Sequence, residues 1–388
     1  MGAGALSFDF ATATRILFGE GRVAEVGAIA AELGAHALLV SSGSERSAAV
    51  VDSLHEHGIA TTTFHVRGEP TIALAEQGSE RARETGCDLV VAVGGGSVID
   101  AGKAIAALIT NRAPVREYLE VVGRAQPLTE RSVPYVAVPT TAGTGAEVTR
   151  NAVLMAEEER VKVSLRSPFM LPTVALVDPE LTYSLPRDVT ASTGLDALTQ
   201  CLEPFVSSKS NPITDALARD GIRRAAGALR RVVRDGHDVE ARRDMSIASL
   251  CGGLALANAK LGAVHGFAAP LGGMFPVPHG VACARLLAPV AAANVRALRE
   301  RTPASRGLAR YQEVARMVTG RADALAEDGA EWLAALVEEL GVPRLGTYGV
   351  RASDVGRVVE QAKRASSMQG NPVALNEEEL AEVLGAAI

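Results

Sequence analysis

A buried strand that runs into three consecutive glycines and then a helix restricts a chain more than any other feature here. Residues 88–93 (Asp-Leu-Val-Val-Ala-Val) form an unbroken apolar run, followed by Gly94-Gly95-Gly96-Ser97 and a helical pattern over 98–109. A strand apolar on both faces belongs inside a parallel sheet, and parallel neighbours need helical crossovers. The flanking sequence supplies them. Strand-like runs at 7–19, 37–42, 60–66, 133–138 and 174–178 alternate with helical spacing at 23–33, 46–57 and 72–85. Gly34 stops the first of these helices, and residues 150–165 have the pattern of a hairpin with Glu157–Arg160 at its tip. After residue 189 only helical patterns occur, from 195–206 through 376–387. The expectation is an α/β nucleotide-binding domain with a mostly parallel sheet over 1–189 and an all-α domain over 190–388.

The glycines let the backbone turn tightly, with no side chain in the way of a ligand. The following helix offers unpaired N–H groups and the positive end of its dipole to a pyrophosphate. A second small-residue loop, Pro139-Thr140-Thr141-Ala142-Gly143-Thr144-Gly145, also follows a strand. Ligands of open α/β sheets bind beyond the carboxyl ends of strands, so both loops can face one dinucleotide. Gly95, Gly96, Ser97, Thr140, Thr141 and Thr144 are therefore candidate cofactor contacts, and Lys162 can reach the same phosphates or ribose. The strand at 37–42 ends in Ser41-Ser42-Gly43-Ser44, with Arg46 next and no acid at its tip. Ser42 thus joins the cofactor set, and hydroxyls with an arginine favour NADP over NAD while leaving NAD open.

In the second half, Asp196 and Gln200 lie one helical turn apart, on one face. His265 and His279 follow among small residues, in Gly-Ala-Val-His-Gly and Val-Pro-His-Gly. A carboxylate, an amide and two imidazoles form a hard-to-borderline donor set suited to Fe(II) or Zn. Phe267, Met274 and Phe275 are candidate apolar walls, although core packing suits at least one of them as well. Arg150, Lys260 and Lys363 are the cations near enough in sequence to reach a cleft.

Bulk properties narrow the classes. A net charge of −6 provides no basic stripe for nucleic acid. Cys87, Cys201, Cys251 and Cys283 form no CxxC pair and read as free thiols of a reducing, cytoplasmic compartment. The apolar segment 247–274 is broken by Asn258, Lys260, His265 and several glycines, so a buried helix pair is expected rather than a membrane span.

In sum, Gly94–Ser97 with Asp100 and Lys103, Pro139–Glu147, Val177-Asp178-Pro179, Gly194–Thr199, Asn211-Pro212, Leu261–His265 and Pro278-His279-Gly280 resemble the iron-containing alcohol dehydrogenases in order and interval. The resemblance spans nearly the whole chain. It implies a dehydroquinate-synthase-like fold with the active site in the interdomain cleft, a role for Asp100 at the cofactor, and a homodimer or larger assembly. It also implies nicotinamide-dependent interconversion of alcohols with aldehydes or ketones, assisted by a metal on Asp196, His265 and His279, with Gln200 as a weak fourth ligand or a donor behind the ligands.

Two positions depart from that family: Gln200 stands where a third ligand histidine is usual, and Ala269 where a further histidine often lies near the nicotinamide. A metal-independent reductase like the maleylacetate reductases, with His265 or His279 as acid, is therefore a second expectation. A dehydroquinate-synthase-like lyase and a nucleotide-binding protein with degraded catalysis are the readings from other classes.

Overall fold

The computed structural model describes residues 7–43 and 45–388. Ser44, one of the hydroxyls at the tip of the second strand, lies outside the described residues.

The first half alternates as the sequence predicts: β1 (Arg15–Phe18), α1 (Val26–Leu33), β2 (His36–Ser41), α2 (Ala48–Glu56), β3 (Ala60–His65), α3 (Ile72–Thr85), β4 (Leu89–Gly94), α4 (Gly96–Thr110) and β5 (Tyr135–Pro139). An antiparallel hairpin, β6 (Asn151–Ala156) and β7 (Val161–Arg166), precedes the last strand, β8 (Val174–Val177). Six strands form one sheet in the order β1-β8-β5-β4-β2-β3, and every pairing in it is parallel. The first strand is shorter than its sequence suggested: only Arg15–Phe18 pair, with β8, and residues 7–13 carry no strand. β4 and β5 are central and buried throughout, which explains why their sequences do not alternate.

Among the described residues no strand follows Val177. The second half consists of α5 (Arg187–Val206), α6 (Pro212–Arg234), α7 (Val239–Asn258), α8 (Ala263–Met274), α9 (His279–Arg301), α10 (Arg306–Thr319), α11 (Ala326–Leu340), α12 (Val355–Arg364) and α13 (Glu377–Ala387). α5 is the axis of this half, with fifteen of its twenty residues buried. α9 is long and apolar enough to cross a membrane, yet 78% of its apolar window is buried within the protein. The segment 247–274 is likewise split into α7 and α8, which meet at 96°. Phe267 is fully buried in the helical core, so it packs and does not wall a cleft.

One close approach joins the two halves at the second loop, and a buried cation braces the first. Gly145 has φ +56°, and a Cβ there would stand 2.5 Å from the Cα of Gly253 in α7. Beneath the Gly-rich turn, the enclosed Lys103 ammonium donates to Thr149 Oγ1 at 2.9 Å and to the Asn151 carbonyl at 2.7 Å. It also pairs with Asp100 Oδ1 at 3.3 Å, while Asp100 Oδ2 accepts from the Val153 amide at 3.0 Å. Asp100 Oδ2 and the Lys103 ammonium thus tie α4 to β6, while Asp100 Oδ1 pairs within α4. Its place in the family motif is matched here by a structural bond rather than by an open acceptor.

Two outcomes follow. Gly145→Ala strains a left-handed residue and forces two backbones apart, so it should lower stability by about 2 kcal/mol, read from the urea midpoint. Glu147 is 2% exposed, and burial pushes its carboxyl from 4.5 up to about 7, against its own backbone amide and Lys103. Across that window the folded protein keeps a proton that the unfolded chain has released, so stability falls as pH rises. Glu147→Gln should remove a decline of about 2–3 kcal/mol between pH 4.5 and 7.5, measured by denaturation at each pH. An unchanged slope in the variant would assign the decline elsewhere.

Candidate active site

The two loops at the carboxyl ends of β4 and β5 meet as expected. Gly94 pairs with Pro139 across the strands, and the Thr140 amide donates to the Gly94 carbonyl at 2.9 Å. A Cβ on Gly96 would stand 2.7 Å from Thr144 Cγ2, and one on Gly95 3.4 Å from Thr141 Cγ2. Thr144 therefore needs glycine opposite it at position 96, while position 95 has room for an ordinary contact. No side chain caps α4, and the Val98 and Ile99 amides both reach the Gly95 carbonyl at 3.0 Å, which leaves the Gly96 and Ser97 amides to meet an anion. Thr140 is buried at 3%, while Gly95, Gly96, Ser97, Thr141 and Thr144 are partly accessible.

Ser41 pairs with Val93 across β2 and β4, so Ser42 stands at the strand end beside Gly94. Ser42 is exposed beyond β2. Arg46 is held by Ser184, donating from Nε to the hydroxyl at 2.8 Å and from Nη2 to the carbonyl at 3.1 Å. Lys162 is 6% exposed, pairs with Glu69 at 2.8 Å and lies against Gly272 of α8. Burial, the His265 charge and the Lys162 charge together disfavour protonation of His279. Lys260 donates to Gln369 and Lys363 to Glu377, so neither is a free cation.

The polar centre is built from three helices. α5 presents Asp196, Gln200 and Glu203 at one-turn intervals, α8 presents His265, and α9 presents His279 and Cys283. Asp196 has 2% of its side chain exposed, and its Oδ1 lies 3.4 Å from His265 Nε2 and 3.8 Å from His279 Nε2. That oxygen accepts no hydrogen bond. Cys283 Sγ lies 3.7 Å from His265 Nε2 and 3.6 Å from His279 Nε2. One donor atom from each of Asp196, His265, His279 and Cys283 falls within 4.8 Å of all the others.

Glu203 orients the cluster. Its Oε1 accepts from the Val264 amide at 2.7 Å, and its Oε2 contacts His265 Nδ1 at 2.6 Å. A carboxylate on Nδ1 fixes the proton there and leaves Nε2 as a lone-pair donor facing Asp196. Gln200 is fixed from the other side: its Nε2 donates to the Gly143 carbonyl at 3.0 Å, while its buried Oε1 has no partner.

The charges agree with a site that lacks only a cation. Burial works against ionising Asp196, but His279, His265 and Cys283 outweigh it and hold the carboxyl below its ordinary value. Burial also opposes protonation of His265, yet Cys283, Asp196 and Glu203 raise its proton affinity well above the usual. Burial, with the Asp196 carboxylate, pushes the Cys283 thiol up to about 12. Each group thus seeks a positive charge at the same point, which a divalent ion would supply. The orphaned Asp196 oxygen and the nitrogen and sulfur donors beside it fit such an ion. His279, with 33% of its side chain exposed, is the open edge of the group.

Sequence reading brought Asp196, Gln200, His265 and His279 to one place but passed over Glu203 and Cys283. Helical spacing held the signal for both, at seven residues from Asp196 and four from His279. Glu203→Gln removes the anion behind His265 Nδ1 and should weaken binding of a divalent ion by about 10–100-fold, measured by competition with a chromophoric chelator. Unchanged affinity would show that Glu203 serves only to cap α8.

Known proteins agree with this geometry. The family model described as iron-containing alcohol dehydrogenase matches residues 13–179, and that of the family's C-terminal part matches residues 190–388. A 1,3-propanediol dehydrogenase of Citrobacter freundii is 36% identical, over 98% of this chain and 98% of its own. A choline dehydrogenase of Bacillus subtilis (strain 168) is 37% identical, over 95% of this chain and 92% of its own. The crystal structure of a 1,3-propanediol oxidoreductase superposes with a TM-score of 0.90 at 35% identity, covering 99% of this chain and 100% of that one. With both halves matched, the chain belongs to the iron-containing alcohol dehydrogenase family.

Proposed function

We propose that this chain is a metal-assisted alcohol dehydrogenase for a small aliphatic substrate, acting between the β4 and β5 loops and the α5–α8–α9 cluster. The observation that carries the reading is Gln200, whose amide binds the Gly143 carbonyl of a cofactor loop while Asp196, one turn away, faces both histidines. When bound, the nicotinamide carries the hydride, and the divalent ion polarises the substrate oxygen. The protein's part is placement. The free amides at the start of α4 hold the pyrophosphate, and Glu203 holds His265 in the donor tautomer. His279 presents the accessible edge of the cluster to the cleft.

Asp196, His265 and His279 are the residues proposed to hold the ion. Gly95, Gly96, Ser97, Thr140, Thr141 and Thr144 are those proposed to hold the dinucleotide. No carboxylate stands at positions 41–43 to oppose a 2′-phosphate, which supports use of NADP(H) as well as NAD(H). The 1,3-propanediol enzymes among the relatives support a short alcohol or its aldehyde as the substrate. Four buried free thiols suit a cytoplasmic protein, and the family resemblance supports a homodimer or larger assembly.

The test combines elemental analysis with a panel of short aldehydes under NADPH and NADH. Net oxidation of the reduced cofactor should accompany aldehyde loss, which a lyase of the same fold does not produce. Stripping the ion should lower turnover at least about a hundredfold, with recovery on adding it back. His279→Ala should lose metal and turnover together. Full activity in a metal-free preparation would instead make His265 or His279 the acid of a metal-independent reductase.

A further inference from the structure

We propose that the Cys283 thiolate, rather than Gln200, completes the metal site, giving an aspartate–histidine–histidine–cysteine set that selects zinc or cobalt over iron. The proposal rests on the reading above that a divalent ion binds beside Asp196.

Cys283 follows His279 by one turn of α9, so both side chains project from one face toward α5 and α8. A tetrahedral ion with bonds of about 2.3 Å to sulfur and about 2.05 Å to nitrogen sets sulfur–nitrogen edges of about 3.6 Å. The two sulfur–nitrogen distances are 3.6 and 3.7 Å. Bonds of about 2.0 Å to oxygen set an oxygen–nitrogen edge of about 3.3 Å. The distances from Asp196 Oδ1 are 3.4 and 3.8 Å. Four of the six edges of one tetrahedron are therefore close to these lengths, and the other two lie within 4.8 Å. The buried, unpartnered Asp196 Oδ1 is an independent sign that this tetrahedron is meant to be filled.

Gln200 is oriented otherwise. The Gly143 carbonyl requires a donor, which fixes the amide nitrogen against the loop. The remaining oxygen is neutral and competes poorly with a thiolate for a borderline ion. A thiolate ligand changes which metal is preferred, because sulfur favours zinc and cobalt over ferrous iron more than imidazole or carboxylate does. On binding, the thiol proton leaves to solvent and the sulfur–metal bond replaces it.

The experiment loads the full-length protein with cobalt(II) and records its near-ultraviolet and visible spectrum. Wild type should bind one cobalt per chain and show a thiolate-to-cobalt charge-transfer band. Cys283→Ser should lose the band and bind cobalt at least about tenfold more weakly, since even an outer-shell partner is worth that much. Cys251→Ser and Gln200→Ala should keep the band. X-ray absorption on zinc-loaded wild type needs no variant, and should show one sulfur at about 2.3 Å. Stoichiometric cobalt without the band, or a band that survives in Cys283→Ser, overturns the proposal and leaves the metal-assisted reading intact. Failure of wild type to bind cobalt, zinc or iron overturns both.

Discussion

Asp196 sits inside a helix bundle with 2% of its side chain exposed and one oxygen that accepts no hydrogen bond. A lone buried carboxylate costs several kcal/mol unless a positive charge stands beside it. The architecture around it answers that cost. α5 is almost wholly buried and aims the carboxylate at the junction of α8 and α9. Those helices in turn bring imidazole and thiol, groups that share a cation or must otherwise share protons. The fold can keep this arrangement because the rest of the helical core is apolar and continuous from α5 to α13.

The α/β half is organised around a different requirement, an anion site with no side chain in it. Glycine is demanded at 94 and 96, where a Cβ would meet Val98 and Thr144 at 2.6 and 2.7 Å. Below the turn, Lys103 is shut away from solvent and bonded to Thr149 and Asn151. Its charge, opposed by burial, is balanced by Asp100 and Glu147. This buried group braces the turn that faces the ligand, and it makes the motif residues Asp100 and Lys103 more structural than their place in a cofactor motif suggests.

Much of this was legible in the chain alone, for physical reasons. Central strands such as β4 read clearly because burial on both faces leaves an unbroken apolar run. Helix ends read clearly where a glycine such as Gly34 marks them. β1 was drawn too long because residues 7–13 have strand-like composition but no partner strand. At the site, Asp196, His265 and His279 stood out as polar residues among small ones. Cys283 did not, because a thiol in an apolar helix looks like any small core residue until another helix brings imidazoles to it. Glu203 was equally hidden, since its role depends on the start of α8, some sixty residues away. Arg46 and Lys162 were placed by sequence distance, whereas Ser184 and Glu69 decide where their charges rest.

The bond from Gln200 to Gly143 crosses from the helix that bears Asp196 to the loop that lies over the Gly-rich turn. Two binding sites that share one hydrogen bond are thermodynamically linked. If closing the loop over a dinucleotide tightens the hold on an ion, then the ion tightens the hold on the dinucleotide by the same factor. On the proposed reading, the glutamine at this position would let the two sites respond to each other's occupancy through one amide.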